Sequence, residues 1–161
     1  MRQILAQGSA SFLEFPAKAI ITPGQLLAVA SDGGVESVDS NVTAPYLLKL
    51  VARENEIMGL GIRESGDPTA APPTGERDTR YAIGDQVLAI VPHNGTQVNM
   101  LITLPGGDLT VERGEYLKSG AVGSLTPTAP GGAVSNQAIA IAMEDVTLAA
   151  AGRTYMRVIF T

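Results

Sequence analysis

The stretch from Tyr81 to Thr103, YAIGDQVLAIVPHNGTQVNMLIT, constrains the fold more than any other part of the chain. Two runs of β-favouring residues flank Asn94-Gly95, a dipeptide that accepts positive φ at both central positions of a type I′ turn, whose twist suits paired strands. The spacing predicts a β-hairpin in which His93 faces Thr96, Val91 faces Val98, Ala89 faces Met100 and Val87 faces Ile102. Beyond the first pair that face is wholly apolar. The other face sets Ile90 against Asn99, Leu88 against Leu101 and Gln86 against Thr103, a mixture that suits partial cover. Pro92 lacks an N–H, so its nitrogen is expected to turn away from the strand's partner, toward a side without a further neighbour.

Glycine and proline cut the rest of the chain into short apolar runs, and the expectation is an all-β protein with little helix. Pro23-Gly24 and Asp32-Gly33-Gly34 read as turns. Pro45 is allowed at a first helical position, but Tyr46, Leu48, Leu50 and Ala52 alternate with more polar neighbours and favour a strand. Ile57 to Ile62 reads as the returning strand, and Gln137 to Asp145 and Tyr155 to Phe160 as two more, with a turn at Ala149 to Gly152. Ser65 to Arg80 holds three prolines and little apolar bulk. It is a long exposed loop, either a partner surface or a tolerated insertion.

Two of the three phenylalanines lie within Met1 to Phe15. Aromatic side chains are costly to leave in water, so residues 1–18 read as an N-terminal arm that docks on its own domain, a sister subunit or a partner, followed by a β domain over 19–161. The subunit or partner contact residues of such an arm would be Ile4, Leu5, Phe12, Leu13 and Phe15. The competing reading is a first strand tucked into the core. If the arm is free, removing Met1 to Phe15 leaves the fold intact.

Charged residues make up 17% of the chain, against about 25% in ordinary soluble domains. A chain so poor in charge is expected to hide surface against copies of itself or a larger assembly. The net charge is −5 and the eight arginines form no stripe, which disfavours nucleic-acid phosphate. No apolar run approaches the roughly 18 residues of a membrane span. The opening residues do not form a secretory signal, so assembly in a cytoplasm is expected. There is no cysteine and one histidine, so any Ser-His-Asp arrangement would depend on His93 beside its turn. Glu144 and Asp145 are adjacent, which on a strand sends them to opposite faces. No cofactor or metal motif is present, and no enzymatic role is expected.

The two halves share an order of motifs. Pro23-Gly24-Gln25-Leu26-Leu27, Asn55 to Glu64 and Gly84-Asp85-Gln86-Val87-Leu88 run parallel to Arg113-Gly114-Glu115-Tyr116-Leu117, Asn136 to Asp145 and Gly152 to Val158. In this arrangement the chain, over about Ile21 to Phe160, resembles the small head decoration, or capsid cement, proteins of tailed bacteriophages. The resemblance implies a small β-barrel or tulip-like sandwich, a homotrimer, and a place on the outer capsid surface of the virion, bridging major capsid protein subunits. It implies no cofactor. The Pro-rich loop departs from the simplest members. The alternatives are a small β-barrel enzyme or ligand-binding module with a site between subunits, or a fibre or tail component.

Overall fold

The computed structural model describes residues 4–38, 49–53, 80–104, 110–128, 138–147 and 152–161. Among them the chain is all-β. Its strands are β1 (Leu5–Gln7), β2 (Ala10–Pro16), β3 (Leu26–Val29), β4 (Val35–Ser37), β5 (Leu50–Ala52), β6 (Gln86–Pro92), β7 (Gln97–Leu104), β8 (Thr110–Val111), β9 (Tyr116–Ser119), β10 (Leu125–Pro127), β11 (Ala140–Ala142), β12 (Val146–Thr147) and β13 (Gly152–Phe160). A 3-10 turn spans Ala121–Gly123.

The strands form two closed rings. In the first the order is β2-β6-β5-β3-β4, and a parallel bridge from Ala17 to Val35 returns β4 to the end of β2. In the second the order is β7-β13-β11-β9-β10, and a parallel pairing of Leu125 with Ile102 returns β10 to β7. Closing a sheet on itself removes its exposed edges. β1 is an extra strand laid against the start of β7, with Leu5 opposite Val98.

The two rings are the same object built twice, and the register shows it residue by residue. Leu27 pairs with Leu50 and Ser37 in the first ring, as Leu117 pairs with Ala140 and Pro127 in the second. Ala89 lies opposite Ala52 and Leu13, as Val158 lies opposite Ala142 and Val98. The turn entering β3 is held by Gln25 N–H on the Thr22 carbonyl (3.1 Å) and by Gly24 N–H on Ala52 (2.8 Å). That entering β9 is held by Glu115 N–H on Glu112 (3.1 Å) and by Gly114 N–H on Ala142 (2.9 Å). The side chain at the last turn position also caps the turn in both, Gln25 taking the Thr22 N–H and Glu115 the Glu112 N–H. Gly24 and Gly114 both have φ in the left-handed region, 84° and 92°, where a side chain costs roughly 1–2 kcal/mol.

Alternation along the strands fills each ring and joins it to the other. Ala17, Ile21, Leu27, Val35, Leu50, Ala52, Tyr81, Val87 and Ala89 form the interior of the first ring. Leu117, Leu125, Ala140 and Val158 take the matching places in the second. The intervening residues of the first ring, Leu26, Val51 and Ile90, face outward and are also fully buried, because they belong to the second ring's apolar cluster together with Ile4 and Val38. Each such side chain contributes roughly 1.5–3 kcal/mol of burial.

Three expectations are corrected. Strands β6 and β7 do not pair: β6 lies between β2 and β5, and β7 belongs to the other ring. The turn at 93–96 exists, with Thr96 N–H on the His93 carbonyl at 3.0 Å. Gly95 has φ 86° while Asn94 is not in the left-handed region, the pattern of a type II turn, which splays its flanking strands where a type I′ turn would pair them. Second, the described part of the expected arm is no arm: β2 pairs with β6 along its whole length and β1 completes β7. Deleting Met1 to Phe15 would remove a wall of the first ring. Third, the counterpart of Ala140–Ala142 is Leu50–Ala52, not residues 57–62. The expected strand at 57–62 and all but the last residue of the expected loop at 65–80 lie outside the described residues.

A Cβ at Gly114 would meet nothing within 4 Å, whereas one at Gly24 would lie 2.8 Å from the Tyr155 ring and 3.3 Å from the Asn99 carbonyl oxygen. Gly114→Ala is therefore expected to cost about 1–2 kcal/mol from φ alone, and Gly24→Ala clearly more. Urea unfolding of the two variants side by side measures the difference.

Candidate functional site

The five expected contact residues have separate fates. Ile4 is 2% exposed, its carbonyl accepting the Asn99 N–H at 2.7 Å, and it packs between the rings. Leu5 and Phe15 are half-buried, against the second and first cores respectively. Only Phe12 and Leu13 remain open, at 51% and 40% exposure. The Arg53 guanidinium lies 5.4 Å from the Phe12 ring centroid, a cation–π contact that covers one ring face.

Two further exposed apolar side chains stand at one end of the first ring, on the segments 17–21 and 81–84 that run side by side. Ile83 is 71% exposed and Ile20 44%. The backbone beneath them is pinned: Gly84 N–H donates to Ala17, Ile21 and Tyr81 exchange main-chain bonds, and Asp85 Oδ2 accepts the Ala82 N–H at 2.9 Å. Ile83 escaped the sequence reading because it stands beside a turn glycine, and Ile20 because it sits in the short apolar run Ala19-Ile20-Ile21, whose next residue Ile21 is buried.

His93 is the centre of a small polar cluster. Its Nδ1 lies 3.1 Å from Ser9 Oγ and its Nε2 3.2 Å from Ser11 Oγ. Ser11 and His93 thus stand in a nucleophile–base contact, but the second ring nitrogen meets a serine where a triad would place a carboxylate. A hydroxyl cannot stabilise a developing imidazolium as a carboxylate does. The cluster ties the 93–96 turn to β2, alongside Thr96 Oγ1 donating to the Ser9 carbonyl at 2.6 Å.

Glu144 and Asp145 also serve the backbone. Glu144 Oε1 accepts the Arg157 N–H at 2.9 Å and Asp145 Oδ1 the Arg113 N–H at 2.7 Å. Among the described residues no group of three histidine, cysteine or acidic side chains gathers in metal-binding geometry, and no helix is long and apolar enough to cross a membrane. Asp32 is bonded to Lys18 at 2.5 Å. That bond, helped by the Gly34 N–H, holds the Asp32 carboxyl below the usual carboxylate range. A folded value below the unfolded one means that the contribution is present at neutral pH and is lost as pH falls through the folded value. Both partners are exposed, so solvent screens it.

Tyr155 and Gln25 hold the rings together, Tyr155 Oη donating to the Pro23 carbonyl at 2.9 Å and Gln25 Nε2 to the Val122 carbonyl at 2.9 Å. No local signal marks either residue in the sequence. No protein-family model matches the chain, and no curated protein matches it.

His93→Ala would free two serine hydroxyls to water and is expected to lower stability by about 1 kcal/mol, without loss of the β-sheet circular dichroism signal. Urea titration checks it.

Proposed function

We propose that this chain is a non-enzymatic structural protein that attaches to the outer surface of a bacteriophage capsid and stabilises it by bridging major capsid protein subunits. The observation that carries the reading is the exposure of Ile83 and Ile20 on a hydrogen-bonded backbone at the end of a closed barrel. An apolar pair on a pinned backbone is ordered before it binds, so little conformational entropy is lost on contact. Because the two are already partly covered, burying what remains exposed of each would contribute roughly 1–2 kcal/mol. A contact that weak gains strength from repetition over a shell, where many linked copies engage at once. The fused rings suit load-bearing, because Leu26, Val51 and Ile90 of the first ring are buried in the second ring's apolar cluster. The resemblance of the sequence to head decoration proteins supplies the shell as partner, and the trimer belongs to the resemblance alone.

One observation favours a second reading, a small β-barrel hydrolase: the 3.2 Å contact of Ser11 with His93. It would require Ser11→Ala to abolish turnover of an activated ester.

Co-sedimentation with expanded phage shells tests attachment. The wild-type chain is expected to pellet with the shells and an Ile20→Ser, Ile83→Ser variant to stay in the supernatant with unchanged thermal unfolding. A variant that pellets as well as the wild type would sink the assignment of the two isoleucines, and a wild type that leaves the shells bare would sink the function.

A further inference from the structure

Among the described residues the duplication has one accessory strand for two equivalent edges. In the second ring, Gln97 and Asn99 of β7 aim their main-chain groups toward β1, and Val98 between them is fully buried. In the first ring the matching residues are Phe12, Glu14 and Leu13 of β2, and among the described residues no strand covers them.

The direction of the main-chain groups follows from the ladder ends. His93 N–H donates to the Ser9 carbonyl at 3.3 Å, and Ala17 N–H donates to the Asp85 carbonyl at 2.8 Å. The register between β2 and β6 is unbroken, so the odd-numbered residues face β6. Phe12 and Glu14 then present one N–H and one C=O each to the opposite side. Beyond them Pro16 has no N–H, and the Lys18 N–H is taken by the Val35 carbonyl at 2.8 Å. The usable edge is two residues with four open groups, centred on Leu13. Uncovered edges of this kind are templates for another strand.

We infer that this edge is an interface between two copies of the chain, whose β2 strands add to one another in antiparallel fashion about a two-fold axis at Leu13. Phe12 of each copy faces Glu14 of the other, and the two pairs exchange four main-chain hydrogen bonds. Leu13 meets Leu13 of the second copy. Each Glu14 carboxylate is brought beside the Phe12 of the other copy, over which the Arg53 cation already lies, so charge as well as shape is complementary across the axis. The neighbouring registers are worse. An axis at Glu14 sets two carboxylates face to face and puts Pro16, without its N–H, opposite Phe12. An axis at Phe12 recruits Ala10, which is packed on the core.

Glu14→Pro tests the pairing, because the Glu14 N–H takes no part in the β6 ladder and Pro16 shows that the strand accepts proline on this alternation. Light scattering after gel filtration is expected to give the wild-type chain an even-numbered mass that halves in the variant, with thermal unfolding unchanged. Hydrogen exchange on the wild-type chain gives a second readout: the Phe12 and Glu14 amides should exchange slowly at high concentration and fast on dilution. A monomeric or odd-numbered wild type, or a folded variant of undiminished mass, overturns the inference. If the variant does not fold, fast exchange of both amides at every concentration overturns it. Protection that appears only when shells are added also overturns it, by assigning the edge to the coat protein.

Discussion

Each ring depends on the parallel contact between its first and third strands, Ala17 with Val35 and Ile102 with Leu125. All other pairings among the ring strands are antiparallel and could exist in an open sheet. Only this one bends the sheet into a barrel and gives it an inside. It is short in both rings, and the stretch of the first strand before it lacks a neighbour unless something else supplies one. β1 does so for β7. The same geometry that closes the first barrel therefore leaves Phe12 and Leu13 in solvent.

Outward-facing residues show how far the copies have parted. Leu26, Val51 and Ile90 are buried under the second ring, while their counterparts Tyr116, Ile141 and Ile159 are half-buried. The main-chain bond that seats the rings runs from Leu101 N–H to the Gly24 carbonyl at 3.0 Å. Its counterpart in a further head-to-tail contact would need an N–H from Pro16, which has none. Glu115 likewise stands where Gln25 supplies an amide donor. The contact within the chain therefore cannot be repeated by the same bonds in an open, heterologous row of barrels.

Much of the duplication was legible in the sequence because turn chemistry is local. Gly24-Gln25-Leu26-Leu27 and Gly114-Glu115-Tyr116-Leu117 match in glycine, capping side chain and inward leucine, and the structure superimposes them in that register. The central strand was misplaced because Leu50–Ala52 has little in common with Ala140–Ala142 beyond small or aliphatic character, and its identity is set by partners distant in sequence. The hairpin was misread for a related reason. Asn-Gly tolerates either a type I′ or a type II turn, and the choice fell to the strands on either side, each of which gains more by joining its own ring. Of the expected contact residues, Phe12 and Leu13 are the two that are exposed. Ile4 is apolar too, but its burial between the rings rests on long-range packing that no local pattern records.

Pro92 illustrates how such a choice is enforced. Its nitrogen faces the side away from β2, past Val51 opposite Ile90, where the β5 ladder has stopped, so the ring loses no bond to it. In the predicted hairpin the same residue would also have been harmless, and proline alone does not select between the two topologies. The selection comes from the strands, and Ser9, Ser11 and Thr96 add a local tie at the crossing. Their hydrogen bonds to His93 and to the Ser9 carbonyl draw the turn onto the link between β1 and β2, holding β6 against β2 at the point where β7 must leave. A crossing from one barrel to the next needs such a clamp, because a two-residue turn that splays its strands has no ladder of its own to keep them apart at a fixed angle.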